Sequence, residues 1–353
     1  MKALLSALLV VSTLLLAIPN PAQAAKRPPI IDMHMHAMSP HANGPPPVST
    51  CTPVYSEEAP MPVWDPGLRS WLDTFVEHGK KPACKDPIWS PTSDGEMRDR
   101  TLGIMEKYNV IGVVDFDKAE YRETWRKAAP GRIIPGRVRD DLSMDAILKI
   151  DAAAVARVKA AKEAGNLAVL AEIVSQYQGI LPTDERLEPF WKMAEDLDIP
   201  VGIHVGTGPP GAPYLGSPDY RARLHSALTI EDVLVRHPKL RVYLMHAGYP
   251  LLDDLLAVLY THPQVYVDVG VIDWGIPRAE FYRYLQTIVQ AGYGNRVMFG
   301  SDNMVWPETI ERGIQVIEQA PFLSERQKRD ILYNNAARFL RLSEEQIRQQ
   351  HAL

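Results

Sequence analysis

The chain has 353 residues, 46% of them hydrophobic, and its 38 basic and 43 acidic residues leave a formal net charge of −5. That length buries a large core and suits one α/β barrel as readily as two average domains. The mild charge balance, without long runs of one sign, argues against a nucleic-acid or membrane-surface partner, because both favour a basic patch. A small molecule is the expected partner, and the oligomeric state is left open.

Lys2 precedes an apolar run over 3–18, followed by Pro19, Asn20, Pro21 and the small-residue triplet Ala22-Gln23-Ala24. A positive start, a short apolar stretch and an A-x-A site predict a secretory signal peptide over 1–24, cut before Ala25. The alternative, a membrane anchor, needs roughly 20 apolar residues to span. The protein is therefore expected to be exported, periplasmic or secreted, with no stable membrane insertion after cleavage. Residues 25–353 are expected to form a single domain.

Strands are predicted at 29–34 (PIIDMH), 110–116, 131–138, 167–174 (LAVLAEIV), 200–205 (PVGIHV), 240–246 (LRVYLMH), 264–269 (QVYVDV) and 296–300. Each is short, rich in β-branched residues and bounded by Gly, Pro, Asn or Asp. Helical periodicity appears over 95–108, 144–164, 183–197, 229–236, 250–260 and 278–291, and a helical tail over 308–350 breaks near Pro321 and Leu342. Eight strands alternating with helices imply a parallel sheet with right-handed crossovers, closed as a (β/α)₈ TIM barrel with extra C-terminal helices. No G-x-G-x-x-G follows the first strand, which argues against a dinucleotide fold.

The rhythm breaks once, over 37–93, where Pro and Gly are dense and Tyr55, Trp64, Trp71, Phe75 and Trp89 are interspersed. A loop this long is usually a functional lid or disordered, and the aromatic residues favour an ordered lid. Trp71, Leu72, Phe75 and Val76 fit one face of a short helix. Cys51 and Cys84, the two cysteines of the chain, fall here. In an oxidising compartment they read as one disulfide, worth about 3–4 kcal/mol in the chain-entropy model; two free thiols are the alternative.

The chemistry concentrates at strand ends. In Asp32-Met33-His34-Met35-His36 the alternation of a strand puts His34 and His36 on one face and Met33 and Met35 on the other. His204 ends the fifth strand, His246 the sixth, and Asp302 follows the eighth. Imidazoles and a carboxylate converging on the C-terminal face of a barrel suit a divalent metal with an open coordination position.

This ordered set resembles the amidohydrolase superfamily, in particular its amidohydrolase-related (amidohydrolase 2) branch. The segment HPKLRVYLMHAGYPLLDDLLAVLYTHPQVYVDVG and the late ILYNNAARFLRL after FGSDN are similar to that branch as well. The likeness runs from about Ile30 to Leu342 and leaves out the insertion. It implies that His34, His36, His204 and Asp302 hold or contact a metal, zinc in the first place, as one or two ions. His246 is then a second-metal ligand or polarises bound water and substrate. Many members carry a carboxylated lysine on the fourth strand. Here Glu172 stands in that region, either bridging two ions or hydrogen-bonding a nearby His.

A metal-dependent hydrolase of amides, esters or lactones is therefore expected, with Asp302 as general acid and base and His246 able to stabilise an oxyanion. A nonoxidative decarboxylase of the same branch is the enzyme alternative, and a non-catalytic binding protein on the same barrel is the second. Arg139 could pair with a substrate carboxylate or with a surface acid. Tyr214, in a Gly- and Pro-rich loop after His204, could wall the pocket or only shape a turn. Trp274 and Trp306 could line an aromatic pocket or simply pack.

Overall fold

The computed structural model describes residues 27–353; the expected signal peptide over 1–24 lies outside the described residues. All eight predicted strands form, at β1 Ile30–Ala37, β2 Val110–Phe116, β3 Ile133–Val138, β4 Leu170–Ile173, β5 Val201–His204, β6 Val242–Met245, β7 Tyr266–Asp268 and β8 Val297–Met298. β1, β2 and β3 pair in parallel, and so do β4 to β8 in order. Backbone hydrogen bonds bridge the two seams: Ala168 N–H to the Pro135 carbonyl at 2.7 Å on one, and Met33 N–H to the Phe299 carbonyl at 2.9 Å and Asp302 N–H to the His34 carbonyl at 2.7 Å on the other. The result is a TIM barrel. Its strands are apolar on both faces because helices cover the outside and side chains fill the inside.

The helices follow local signals. Ser93 accepts a hydrogen bond from Glu96 N–H to start Asp94–Tyr108, and Asn109 ends it at φ 53°. The helix expected over 144–164 is two, Met144–Ile147 and Ala152–Glu163, because Asp151 caps the second through Ala154 N–H. Ala119–Ala128 forms between β2 and β3 although its sequence is mostly polar, and it buries Tyr121 and Trp125, one turn apart. The tail breaks where expected. Ser324 and Ser343 open new helices there with reciprocal capping boxes.

One strand expectation fails. Met35 packs outward with the helices, but Met33 joins Ile31, Val113, Tyr243 and Met298 in an inner cluster plugged by Tyr333 and Phe339. The register of β1 shifts between Asp32 and Met35. A bulge of that kind breaks the two-residue alternation, so Met33 and Met35 do not share a face. β4 shifts between Leu170 and Ile173 in the same way.

The insertion is ordered. Ser49–Thr50 and Ile88–Trp89 make an antiparallel ribbon, Trp71–Lys80 is a helix, and Cys51 is disulfide-bonded to Cys84. The helix buries Trp71 and Thr74, while Leu72 points to solvent. The expected face is therefore rotated, because Trp71 turns its indole to the barrel and donates to the Pro210 carbonyl at 2.8 Å. Among the described residues no helix is long and apolar enough to cross a membrane.

Candidate metal centre

The C-terminal strand ends bring His34 and His36 from β1, Glu172 from β4, His204 from β5, and His246 and Asp302 just past β6 and β8 into one cluster. None is more than 9% exposed. His246 and Asp302 sit at φ 58° and 47°. That left-handed backbone is uncommon outside glycine and turns both side chains sharply off their strands. Gly270 and Gly300 press on His34 from two sides. A Cβ at Gly270 would lie 2.7 Å from His34 Nδ1, so only glycine leaves room there.

Glu172 is the hinge of the arrangement. Its Oε1 lies 2.6 Å from His204 Nδ1 and 3.5 Å from His246 Nε2. Its Oε2 faces the other pair, 3.9 Å from His36 Nε2 and 4.0 Å from His34 Nε2. Asp302 Oδ1 is 3.0 Å from His36 Nε2 and 3.6 Å from His34 Nε2, and its Oδ2 is 4.0 Å from His246 Nδ1.

Carboxylates and carbonyls behind the imidazoles fix how they face the centre. His246 Nδ1 is 2.9 Å from the Gly270 carbonyl, which can only accept, so Nδ1 carries the proton and Nε2 presents a lone pair. His34 Nδ1 lies 3.2 Å from Asp268 Oδ2, and His34 Nε2 is buried with no hydrogen-bond partner among the described residues. Asp268 Oδ1 accepts from the N–H groups of His246 and Gly270. Asp32 Oδ1 accepts from those of His34 and Ser301, and Asn303 Oδ1 accepts from that of His36.

Electrostatics follow the geometry. Burial opposes charge on His34, but Asp302, Asp268 and Glu172 outweigh it and lift its pKa to about 10. Burial pushes the carboxyls of Glu172 and Asp302 up, yet the imidazoles around them win and hold both well below the usual carboxylate range. Burial raises Asp32 to about 7, against the hydrogen bonds from Ser301 and His34.

Buried nitrogen and oxygen donors in balance, with His34 Nε2 left without a partner, fit a divalent cation. Three sets place their donor atoms within 4.8 Å of one another: His34, His36 and Glu172; His34, His246 and Asp302; and Glu172, His204 and His246.

The other predicted residues sit around this cluster. Arg139 donates from Nε to Asp115 Oδ2 at 2.7 Å and holds Nη2 3.1 Å from His36 Nδ1, so its first partner is an internal acid. Tyr214 is exposed, with its ring 4.9 Å from that of Trp64 in the insertion. Trp274 and Trp306 are buried beside Val48, Ile88 and Val305, and their indole N–H groups are spent on the carbonyls of Ser301 and Val48. Both therefore anchor the insertion to the barrel and do not line an open pocket.

Sequence reasoning missed several members. Asp115 and Asp268, at the ends of apolar strands, carried the same signal that picked out Asp302. Tyr177, whose hydroxyl is 3.5 Å from His204 Nε2, lies in a 3₁₀ turn after β4 with no distinguishing pattern. His225 is fully buried with ring centroids 5.3 Å from His204 and 4.3 Å from Tyr220. Only the tertiary fold brings it there.

Comparison with known proteins agrees with the fold. An uncharacterised TIM-barrel protein from Bordetella bronchiseptica superposes with a TM-score of 0.55 at 17% identity, covering 92% of this chain and all (100%) of that one. A probable 2-pyrone-4,6-dicarboxylic acid hydrolase from Acinetobacter baumannii, with citric acid bound, gives 0.52 at 13% identity over 89% and 99% of the two chains. A dihydroxybenzoic acid decarboxylase from a Polaromonas species, holding manganese and 2-nitroresorcinol, gives 0.52 at 13% identity over 90% and 99%. No curated protein matches the chain. The family model described as Amidohydrolase matches residues 31–342. The chain belongs to that family of metal-dependent enzymes.

Proposed function

We propose that this protein is an exported metal-dependent hydrolase that adds water to a carbonyl-type substrate, an amide, ester or lactone. The observation that carries the reading is the division of Glu172, with one oxygen toward His204 and His246 and the other toward His34 and His36. A carboxylate so placed suits two ions, and a two-ion centre is suited to activating water. The ligands would be His34, His36, Glu172, His204, His246 and Asp302, with zinc as the expected metal. Bound there, a divalent ion would polarise a carbonyl and bring the pKa of a water down to about 7.

The chain's own groups do the rest. Asp302 is ionised at neutral pH, held so by His34 and His36. It can take a proton on Oδ2 as water adds and return it to the leaving group. His246, fixed as its Nδ1–H tautomer by Gly270, keeps Nε2 aimed at the centre. Tyr177 is a neutral phenol, its pKa raised by burial and then by Glu172, and can donate to a developing oxyanion. Arg139 stands at the edge and can orient an acidic substrate group. The insertion docks on the loop after β5 through Trp71 and the Trp64–Tyr214 contact. The Cys51–Cys84 disulfide supports an oxidising compartment.

A nonoxidative decarboxylase is the second reading. The likeness to the Polaromonas decarboxylase and the position of Arg139, suited to hold a carboxylate, favour it. The test is Asp302→Asn, assayed with amide, ester and lactone panels and by carbon dioxide release. Turnover should fall by about 10²–10⁴ with most of the metal retained. Full activity in that variant sinks the assigned role, and carbon dioxide as the product shifts the protein to the second reading.

A further inference from the structure

A second cavity lies outside the barrel, away from the cluster of imidazoles. It occupies about 320 Å³ between β3, the helix Ala119–Ala128 and the helix Ala152–Glu163. Three guanidiniums line it, from Arg122, Arg137 and Arg157, against a single carboxylate, Asp141.

Arg137 is the unusual member. It is 3% exposed, so its charge needs close partners. Its protein contacts are poor: Nη1 to the Leu142 carbonyl and Nη2 to Asp115 Oδ2, each at 3.4 Å, with Nε unpartnered. Charge-assisted bonds to a guanidinium normally run to about 2.7–2.9 Å. Asp115 is also shared. Arg139 holds the same oxygen at 2.7 Å, so two guanidiniums compete for one carboxylate. Arg157, on the opposite wall, has no ion-pair partner among the described residues, while Arg122 is held by Glu123 at 3.2 Å.

We infer that this cavity binds a small oxyanion, carried by a carboxylate or by an inorganic acid such as sulfate. Planar, forked donors from two sides match such a group. The apolar floor from Val138, Leu142 and Val158 leaves room for a short carbon chain. The site also touches the metal centre at one remove: Arg137 shares Asp115 with Arg139, whose Nη2 is 3.1 Å from His36 Nδ1. An anion that takes over Arg137 leaves Asp115 to Arg139.

The test is calorimetric titration of the metal-loaded protein with sodium succinate and, separately, sodium sulfate, with sodium chloride at matched ionic strength as the blank. Either salt should show saturable, one-to-one binding. Succinate alone points to an organic acid, and sulfate alone to an inorganic oxyanion. Arg157→Gln, at the exposed wall, should weaken binding about tenfold, the size of one charge-assisted hydrogen bond. His34→Ala should leave it unchanged. No saturable binding of either salt overturns the inference. So does binding that survives Arg157→Gln at full strength, and so does binding that disappears in His34→Ala, because the anion would then sit at the metal centre.

Discussion

His225 offers a quantitative check of the packing beneath the site. Its imidazole is fully buried, and neither ring nitrogen has a hydrogen-bond partner among the described residues. Tyr177, Tyr220 and His204 surround it. Burial first, then the nearby His204 and His246, push its pKa from 6.5 down to about 3, with Glu172 opposing. The unfolded chain therefore takes up a proton below pH 6.5 that the folded chain refuses until about pH 3. Stability from this group is complete above pH 6.5 and is lost as pH falls across that window, by about 1.4 kcal/mol per unit and about 2 kcal/mol at pH 5. His225→Phe and His225→Leu keep an apolar filler and remove the titration. Urea unfolding of wild type and both variants from pH 4 to pH 8 isolates the term, because His34, His204 and His246 titrate in all three. The stability difference between wild type and variants should shift with pH by those amounts. A difference that stays flat between pH 7 and pH 5 refutes the reasoning.

Two further outcomes follow from the insertion. Replacing Cys51 and Cys84 with Ser opens a loop with a sequence separation of 33, so denaturant stability should fall by about 3–4 kcal/mol; an unchanged midpoint contradicts the account. Trp71→Ala removes the indole that bonds Pro210 and packs against Gly211. Limited proteolysis within 37–93 should then run faster, with little change in the barrel's own unfolding, and equal cleavage rates would show that this anchor is unimportant.

The sequence carried the barrel because its strands are apolar runs bounded by turn residues, and much of the candidate site because several of its residues fall where those runs stop. His204, His246 and Asp302 stood out in that way, His34 and His36 through the alternation of the first strand, and Glu172, inside its strand, only through the family resemblance. What escaped depends on distance along the chain. The bulge that separates Met33 from Met35 is set by pairing with β2, and the competition of Arg137 and Arg139 for Asp115 is set between neighbouring strands. Trp274 and Trp306, which follow strand ends, could have lined a pocket or simply packed; both pack beside Val48 and Ile88 of the insertion, and their indole N–H groups go to the carbonyls of Ser301 and Val48. His225 had no local pattern at all. Periodicity reports which face is buried, and only the folded chain decides what it is buried against.

The central proposal is that Glu172, set between two His pairs, would serve two ions. Elemental analysis of the purified protein, after zinc loading and dialysis, tests it most directly, with His34→Ala and Glu172→Gln alongside. The account predicts about two equivalents in the wild type and a clear loss in both variants. One equivalent in the wild type, unchanged in Glu172→Gln, would contradict the bridge and leave a single-ion centre.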